Sequence, residues 1–225
     1  MQNSVQNVKA GKKVKEKGKK LYKTAVFLLG GLVRALFFAK VTGRENVPES
    51  GACFVCSNHM SNWDAVLLAS AFRRPINFMA KVELFRVPLL GRLLKALGAF
   101  SVDRDKTDIG SIKTALTLIK NGEPVGIFPQ GKRCSGMHPS NIGIKSGTGM
   151  LVYKTQSSVI PVSVYTKNYR MRLFRRAYVN IGKPIFFEEY GVTEKGPVGY
   201  QKISDKIFDR ICALNDASKA EDEKK

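Results

Sequence analysis

The sequence predicts an α/β domain with a mixed central sheet flanked by helices. Short apolar runs recur along the chain between small and polar residues, as buried strands do. Longer stretches between them repeat apolar residues at helical spacing. At 225 residues and 44% hydrophobic content, the chain is long enough to bury a sizeable core. We expect this domain at residues 41–216, between an N-terminal segment at residues 1–40 and a charged tail at residues 217–225.

The N-terminal segment combines lysines with a short apolar stretch. Residues 1–23 contain eight lysines and one glutamate, and residues 24–39 are mostly apolar apart from Arg34. A helix of that length reaches about 24 Å, short of the ~30 Å hydrocarbon core of a bilayer. Each lysine near an anionic leaflet adds on the order of 1 kcal/mol to binding. We therefore expect a membrane-associating helix that does not span, on the cytoplasmic face of the cell membrane, in a monotopic or peripheral protein. The alternative is a basic tail followed by an ordinary core helix.

A strand at residues 52–56 and a helix at residues 65–72 are joined by a polar turn that contains His59, with Asp64 five positions later. Side chains five positions apart on a regular helix diverge by about 140°. A histidine in the turn can nevertheless meet a carboxylate in the helix's first turn. An imidazole held by a carboxylate is an oriented general base. The alternative is a capping box from Ser61 to Asp64, which would only stabilise the start of the helix.

Two further strands are predicted at residues 77–80 and 99–102, with a short helix between them. Arg104 follows the second strand, at the carboxyl end where open α/β sheets bind ligands. Residues 108–120 predict an amphipathic helix that covers the sheet. Its apolar stripe consists of Ile109, Ile112, Leu116 and Ile119.

Residues 124–128 predict another buried strand, and a polar, basic turn follows it: Gln130, Gly131, Lys132 and Arg133. A glycine lets the backbone approach a ligand closely, and arginine offers a planar fork for a phosphate. The alternative is a solvated basic loop.

The remaining elements are a helix at residues 144–155, strands at 159–164 and 178–181, and a helix at 198–214. Pro161 favours an edge strand or a bulge, because proline cannot donate a hydrogen bond to the ladder. His138 lies in a polar loop and is expected at the surface.

The chain contains four short sequence blocks that resemble, in the same order, the motifs of the lysophosphatidic acid acyltransferases (1-acylglycerol-3-phosphate O-acyltransferases) of the glycerolipid acyltransferase group. The first is the His-x4-Asp motif of His59 and Asp64, the second runs from residues 81–84 to 102–104, and the fourth is 159–162. The third, at 128–133, usually reads Phe-Pro-Glu-Gly-Thr-Arg in that family. Here Gln130 and Lys132 replace the glutamate and the threonine.

The resemblance implies a glycerolipid acyltransferase-like fold and a single displacement. His59, oriented by Asp64, would deprotonate the 2-hydroxyl of lysophosphatidic acid, which attacks the thioester of acyl-CoA or acyl-carrier protein. The product would be phosphatidic acid, and neither a metal nor a cofactor is implied. The implied acceptor-binding residues are Arg104, Gln130, Gly131, Lys132 and Arg133. Glutamine keeps the hydrogen-bonding shape of glutamate without its charge, so another lysolipid acceptor stays open.

The charge of the chain leaves two other functional classes to weigh. A formal net charge of +20 favours a polyanionic partner, which could be a membrane, a phosphorylated substrate or a nucleic acid. Nucleic acid is disfavoured, because the lysines concentrate beside an apolar stretch and nothing resembles a recognition helix or an aromatic RNA platform. A non-catalytic lipid-binding protein would keep its function without His59.

The four cysteines suggest a reducing compartment rather than a disulfide framework. Cys53 and Cys56 form a C-x-x-C pattern, but they lie in a predicted buried strand and no second ligand pair follows. We therefore expect no metal or redox site there.

Overall fold

The computed structural model describes residues 30–72, 74–103 and 108–224. Seven strands in this part of the chain form one sheet in the order β1-β7-β6-β2-β5-β3-β4. They are β1 (Lys40–Thr42), β2 (Phe54–Ser57), β3 (Asn77–Lys81), β4 (Phe100–Val102), β5 (Val125–Ile127), β6 (Val159–Thr166) and β7 (Ala177–Ile181). Strands β6 and β7 are antiparallel, whereas all other neighbours are parallel. The predicted mixed sheet is therefore confirmed.

Helices cover both faces of the sheet. They are α1 (residues 30–36), α2 (Trp63–Ala71), α3 (Pro88–Ala96), α4 (Ile109–Lys120), α5 (Gly147–Thr155) and α6 (Pro197–Glu223). Short 3-10 helices lie at Arg44–Asn46, Val82–Arg86, Pro139–Asn141, Lys167–Tyr169 and Phe187–Tyr190. No helix within the described ranges has the length and apolar character needed to cross a membrane. Most of the expected membrane-associating segment, residues 1–29, lies outside those ranges.

The central strand β2 divides the core into two parts. Val55, like Cys53 just before the strand, packs with α1 and α2 on one face, whereas Phe54 and Cys56 pack with α4, α5 and α6 on the other. This follows from the alternation of side chains along a strand. Burial raises the pKa of the Cys53 thiol to about 11 and that of Cys56 further. The two thiols of the C-x-x-C pattern thus point to opposite faces of the sheet and cannot share a ligand.

Strand β1 is an element that the sequence did not predict. Val41 lies opposite Val179 in a parallel pair with β7 at the edge of the sheet. Three residues with mixed burial are too short to show an apolar period. Gly43 follows with a φ of 76°, and a Cβ there would collide with the carbonyl of Ile181.

Of the two positions predicted for Pro161, the edge strand is wrong, because β6 lies in the interior of the sheet, and the bulge is confirmed by a one-residue shift in the pairing. Val162 pairs with Ile181, but Val159 pairs with Ile185, so the register with β7 slips by one residue between them. The N–H of Val159 donates to Ile185, and the proline nitrogen two positions later faces the same neighbour. The missing donor therefore falls at the slip, and the ladder to β2 is kept.

The amphipathic helix α4 begins one residue later than predicted. The Asp108 carboxylate caps it by accepting the Ser111 N–H at 3.0 Å. Ala115 and Ile119 are buried, but Ile109 is 61% exposed. The predicted stripe is therefore wrong at its first position: the buried side of the helix runs through Ser111, Ala115 and Ile119, with Ile112 and Leu116 packed beside it.

Helix α6 continues well past the predicted end at residue 214. Residues 217–223, expected as part of a charged tail, belong to this helix, and the Tyr178 hydroxyl donates to Asp222 at 2.9 Å. Lys40 forms an ion pair with Glu221 at 2.7 Å. The acidic residues that made this stretch read as a tail therefore attach the helix to β1 and β7.

Candidate active site

The candidate site lies at the carboxyl edge of the parallel strands. Asn58 and His59 directly follow β2, and Phe128 follows the neighbouring β5. Strand β3, on the other side of β5, ends with Lys81 at the same edge. Parallel α/β sheets bind their ligands at such an edge.

Asn58 fixes the turn that carries the histidine. Its side-chain amide donates to the carbonyl of Val164 and accepts the Val164 N–H, each at 2.8 Å. The carbonyl of His59 accepts the Cys134 N–H at 2.7 Å. The turn is thus held by β6 on one side and by the loop after β5 on the other. Sequence reasoning gave Asn58 no role, and an amide directly after a buried strand was the only signal for it.

His59 and Asp64 are in direct contact, which confirms the predicted meeting of the two side chains. Nδ1 of His59 lies 2.9 Å from Oδ2 of Asp64. The same oxygen accepts the backbone N–H groups of Met60 at 2.6 Å and Ser61 at 2.8 Å. Asp64 is fully buried, and His59 is 7% exposed. One carboxylate oxygen therefore orders both the imidazole and the turn.

This arrangement selects the tautomer of His59. The carboxylate accepts a hydrogen bond from the Nδ1–H group, so the other ring nitrogen, Nε2, carries no proton and is an acceptor. Nε2 makes no hydrogen bond within the described residues. The ring stacks on Phe128, with centroids 4.0 Å apart and planes 14° apart, and Phe128 stacks in turn on Phe78. The imidazole is thus held in one orientation, with one nitrogen free to take a proton.

The capping alternative is also visible in the structure. The Ser61 hydroxyl accepts the Trp63 N–H at 3.3 Å, and the Asp64 carboxylate accepts the Ser61 N–H. These are contacts of the kind found at a helix start. Asp64 therefore stabilises the beginning of α2 and orients His59 at the same time.

Gln130 connects the third sequence block to the first. Its Oε1 accepts the backbone N–H of His59 at 2.9 Å, and the residue is only 3% exposed. Its Nε2 is buried without a hydrogen-bond partner in the described part of the chain. The structure thus places Gln130 against the backbone of the histidine, whereas sequence reasoning expected it at the acceptor.

Gly131 adopts a left-handed conformation with a φ of 67°, which favours glycine. A Cβ at this position would lie 3.5–3.9 Å from the outer side-chain atoms of Lys145. The backbone N–H of Lys145 donates to Pro129 at 3.2 Å. Lys145 therefore adds a cation to the basic turn, one that sequence reasoning missed. A lysine shortly before a glycine-started helix was the available signal.

Arg133 reaches back towards the first block. Its Nη1 donates to Oδ1 of Asn62 at 2.8 Å, and Asn62 is three positions after His59 in the sequence. Arg133 and Lys132 are both exposed, so their charges are open to a ligand. Arg104, the other predicted phosphate-binding arginine, lies outside the described residues, and its place at this site stays a prediction.

The second histidine, His138, lies in a loop and is partly exposed, and its contacts give it a structural role. Nδ1 of His138 contacts the Ser140 hydroxyl at 2.6 Å and accepts the Ser140 N–H at 3.2 Å, as a cap does. Nε2 contacts Asp216 of α6 at 3.0 Å. The nearby N–H groups of Ser140 and Asn141 are both used within the turn. Ser140, His138 and Asp216 lie together like the residues of a catalytic triad, but these two N–H groups are not free to stabilise an oxyanion. The three residues instead cap the turn and link it to α6.

No group of three histidine, cysteine, aspartate or glutamate side chains arranged as metal ligands occurs within residues 30–72, 74–103 and 108–224. The polar groups at the site are instead an imidazole, its carboxylate, and the cations of the loop after β5.

Three comparisons with known proteins all identify acyltransferases as similar to this chain. The family model described as Acyltransferase matches residues 38–165, from just after α1 into β6. The 1-acyl-sn-glycerol-3-phosphate acyltransferase of Bacillus subtilis is 34% identical over 151 residues, which are 65% of this chain and 73% of that protein. The protein of the same name from Streptococcus pneumoniae is 25% identical over 181 residues, or 78% of this chain and 65% of that one.

The crystal structure of the 1-acyl-sn-glycerophosphate acyltransferase PlsC from Thermotoga maritima shares the fold. The two superpose with a TM-score of 0.66, over 95% of this chain and 83% of that one, at 22% sequence identity. The matched family region contains both the His59–Asp64 pair and the basic turn at Arg133. The chain is therefore a member of the Acyltransferase family.

Proposed function

We propose that this protein transfers an acyl chain from a thioester to the 2-hydroxyl of lysophosphatidic acid, which forms phosphatidic acid for phospholipid synthesis. The carrying observation is the His59–Asp64 contact of 2.9 Å at the carboxyl edge of the sheet, beside a turn with exposed cations. The names of the relatives, all 1-acyl-sn-glycerol-3-phosphate acyltransferases, support the same acceptor.

The chemistry follows from the orientation of the imidazole. Nε2 of His59 takes the proton of the acceptor hydroxyl while its oxygen attacks the thioester carbonyl. The new C–O bond forms, the C–S bond breaks, and the proton passes from the imidazolium to the departing thiolate. Asp64 stabilises the imidazolium between these steps. The reaction needs no metal or cofactor, and the donor is acyl-CoA or acyl-carrier protein.

The acceptor phosphate is proposed to bind at the basic turn. Arg133 lies beside the start of α2 through its contact with Asn62, and Lys145 lies over Gly131. Lys132 is exposed in the same turn, and we expect Arg104 to join it, since it comes two positions after the last residue of β4 in the sequence. Arginine and lysine together supply a fork and point charges for a phosphate.

An acyl-transfer assay with purified protein tests the proposal. The acceptors are lysophosphatidic acid, a lysophospholipid with a zwitterionic headgroup, and a monoacylglycerol without phosphate, each with acyl-CoA and with acyl-carrier protein. We expect transfer chiefly to lysophosphatidic acid. Preference for a zwitterionic headgroup would favour the alternative acceptor, and no transfer with any pair would favour a non-catalytic lipid-binding protein.

Replacing Arg133 by alanine tests the phosphate site. We expect the apparent KM for lysophosphatidic acid to rise roughly ten- to a hundredfold, since a charge-assisted hydrogen bond contributes ~1.5–3 kcal/mol. The KM for the thioester should change much less. Arg133→Lys should rescue only partly, because an ammonium cannot form the bidentate fork. Arg210→Ala, which removes an exposed arginine from α6, is the matched control. A larger rise in the KM for the thioester than in that for lysophosphatidic acid would place Arg133 at the donor.

Replacing Gln130 by glutamate tests the acceptor. A glutamate oxygen can accept the same His59 N–H, so we expect kcat/KM for lysophosphatidic acid to stay within about tenfold of the wild type. Initial rates across the three acceptors measure the effect. Collapse of activity with lysophosphatidic acid, together with a correctly folded variant, would show that this pocket serves a different acceptor.

We also propose that the protein works at the cytoplasmic face of the cell membrane, as a monotopic or peripheral protein. The lysine-rich residues 1–23 and the lipid nature of the proposed acceptor support this placement.

A further inference from the structure

Helix α3 and the turn before it expose an apolar surface that nothing in the described chain covers. Leu89 is 81% exposed and Leu93 is 40% exposed. These residues are four positions apart and therefore share one face of the helix. Val87 and Leu84 are 50% and 36% exposed just before it. None of the described α3 side chains belongs to either core cluster, although the helix is strongly amphipathic in sequence.

The same surface is basic. Residues 81–95 carry four cations, Lys81, Arg86, Arg92 and Lys95, and one acid, Glu83. Glu83 forms an ion pair with Lys81 at 3.1 Å, so its charge is already balanced. Exposed leucines among arginines and lysines match a leaflet with anionic headgroups, because the cations bind phosphates while the leucines enter the acyl region.

This surface begins at the edge of the sheet that carries the candidate base. The 3-10 helix Val82–Arg86 starts directly after β3, and α3 follows it. Phe78 of β3 stacks on Phe128, which stacks on His59. A membrane in contact with the start of α3 would therefore lie next to the place where a lysolipid has to reach the imidazole.

We propose that the leucines and cations of residues 84–95 form a second membrane-docking surface, which seats the active-site edge on an anionic leaflet independently of residues 1–29. The proposal rests on the proposed function, since it explains how a lipid acceptor reaches His59. The occupant of this surface is a bilayer with anionic lipids. A second copy of this chain and the chain's own N-terminal segment are the competing occupants.

The test uses the full chain with both Leu89 and Leu93 replaced by glutamate, and Val198→Glu as the matched control. Val198 is 62% exposed on α6, a helix that packs on β6, β7 and α5 rather than near α3. Co-sedimentation is measured with vesicles of phosphatidylglycerol and phosphatidylcholine and with phosphatidylcholine alone. Activity is measured with vesicle-embedded lysophosphatidic acid and with a short-chain analogue that stays monomeric.

We expect the double variant to bind anionic vesicles at least about tenfold more weakly than the wild type, since burial of even one leucine contributes that much. Its apparent KM for the vesicle-embedded acceptor should rise similarly, with kcat on the monomeric analogue unchanged. Val198→Glu should behave like the wild type. If the double variant does not fold, Leu89→Gln replaces it, because a side chain that is 81% exposed tolerates a polar substitute.

Unchanged vesicle binding in the variants overturns the proposal. If sedimentation equilibrium without lipid then shows a wild-type dimer that the variants lose, the occupant is a second copy. If removal of residues 1–29 exposes α3 to hydrogen exchange, the occupant is the N-terminal segment, and the proposal also fails. Wild-type vesicle binding that depends on Leu89, without any acyl transfer, would instead contradict the proposed function and leave the docking surface standing.

Discussion

Replacing His59 by alanine is expected to lower kcat/KM for acyl transfer by at least ~10²-fold, the contribution typical of a general base. The imidazole is the group at this edge whose Nε2 is held free to accept the hydroxyl proton, while Nδ1 is engaged by Asp64. The KM of the thioester should change little, because the histidine acts on the acceptor. Initial rates with saturating donor and varied lysophosphatidic acid measure the effect.

The second histidine supplies the matched control. His138 also contacts an aspartate, at 3.0 Å, but it caps a turn and links it to α6. His138→Ala should therefore retain activity within a few-fold while lowering the free energy of unfolding by about 1 kcal/mol.

Alanine at position 59 also removes a ring that stacks on Phe128, so folding needs its own measurement. His59→Asn keeps an N–H close to the place of Nδ1 and should remain folded while losing the base. A His59→Asn protein that melts like the wild type and retains full activity would exclude histidine as the base, and with it the proposed mechanism.

The parts of the fold that could be predicted are those with a local pattern. Strands β2, β3, β4 and β5 are compact apolar runs, and their ends carry the motifs, so the site edge follows from the sequence. The His59–Asp64 contact was also predictable, because it spans only five positions and depends on a turn followed by a helix start. Local spacing is sufficient wherever the partners are near in sequence.

The parts that could not be predicted depend on distant partners. Strand β1 is only three residues long and pairs with β7, which lies more than a hundred positions later. The contact of Asn58 with Val164 spans 106 positions and that of Gln130 with the His59 backbone spans 71. The continuation of α6 through the charged residues 217–223 likewise depends on contacts with β1 and β7. Such contacts leave no periodic pattern in the local sequence. The side-chain amides that hold the site together therefore look like those of ordinary polar residues.

Replacing Asp64 by asparagine is the second large effect that we expect, a loss of about 10²–10⁴-fold in kcat/KM. Oδ2 of Asp64 accepts three N–H groups, from the His59 ring and from the backbones of Met60 and Ser61. An asparagine oxygen can accept the same three, so the turn can keep its shape. The negative charge that stabilises the imidazolium is lost, and an amide Nδ2 can also favour the tautomer with the proton on the wrong nitrogen.

The same substitution separates the two roles that the structure gives to Asp64. Oδ1 is buried without a hydrogen-bond partner among the described residues, so an amide nitrogen placed there would be an unpaired donor that costs about 1–3 kcal/mol of stability. Thermal unfolding measures this cost and single-turnover acyl transfer measures the chemistry. Asp216→Asn, which changes the carboxylate beside His138, is the matched control and should leave transfer unchanged. If Asp64→Asn lowers the melting temperature but transfers acyl chains at the wild-type rate, Asp64 only builds the turn and the start of α2, and His59 acts without a carboxylate partner.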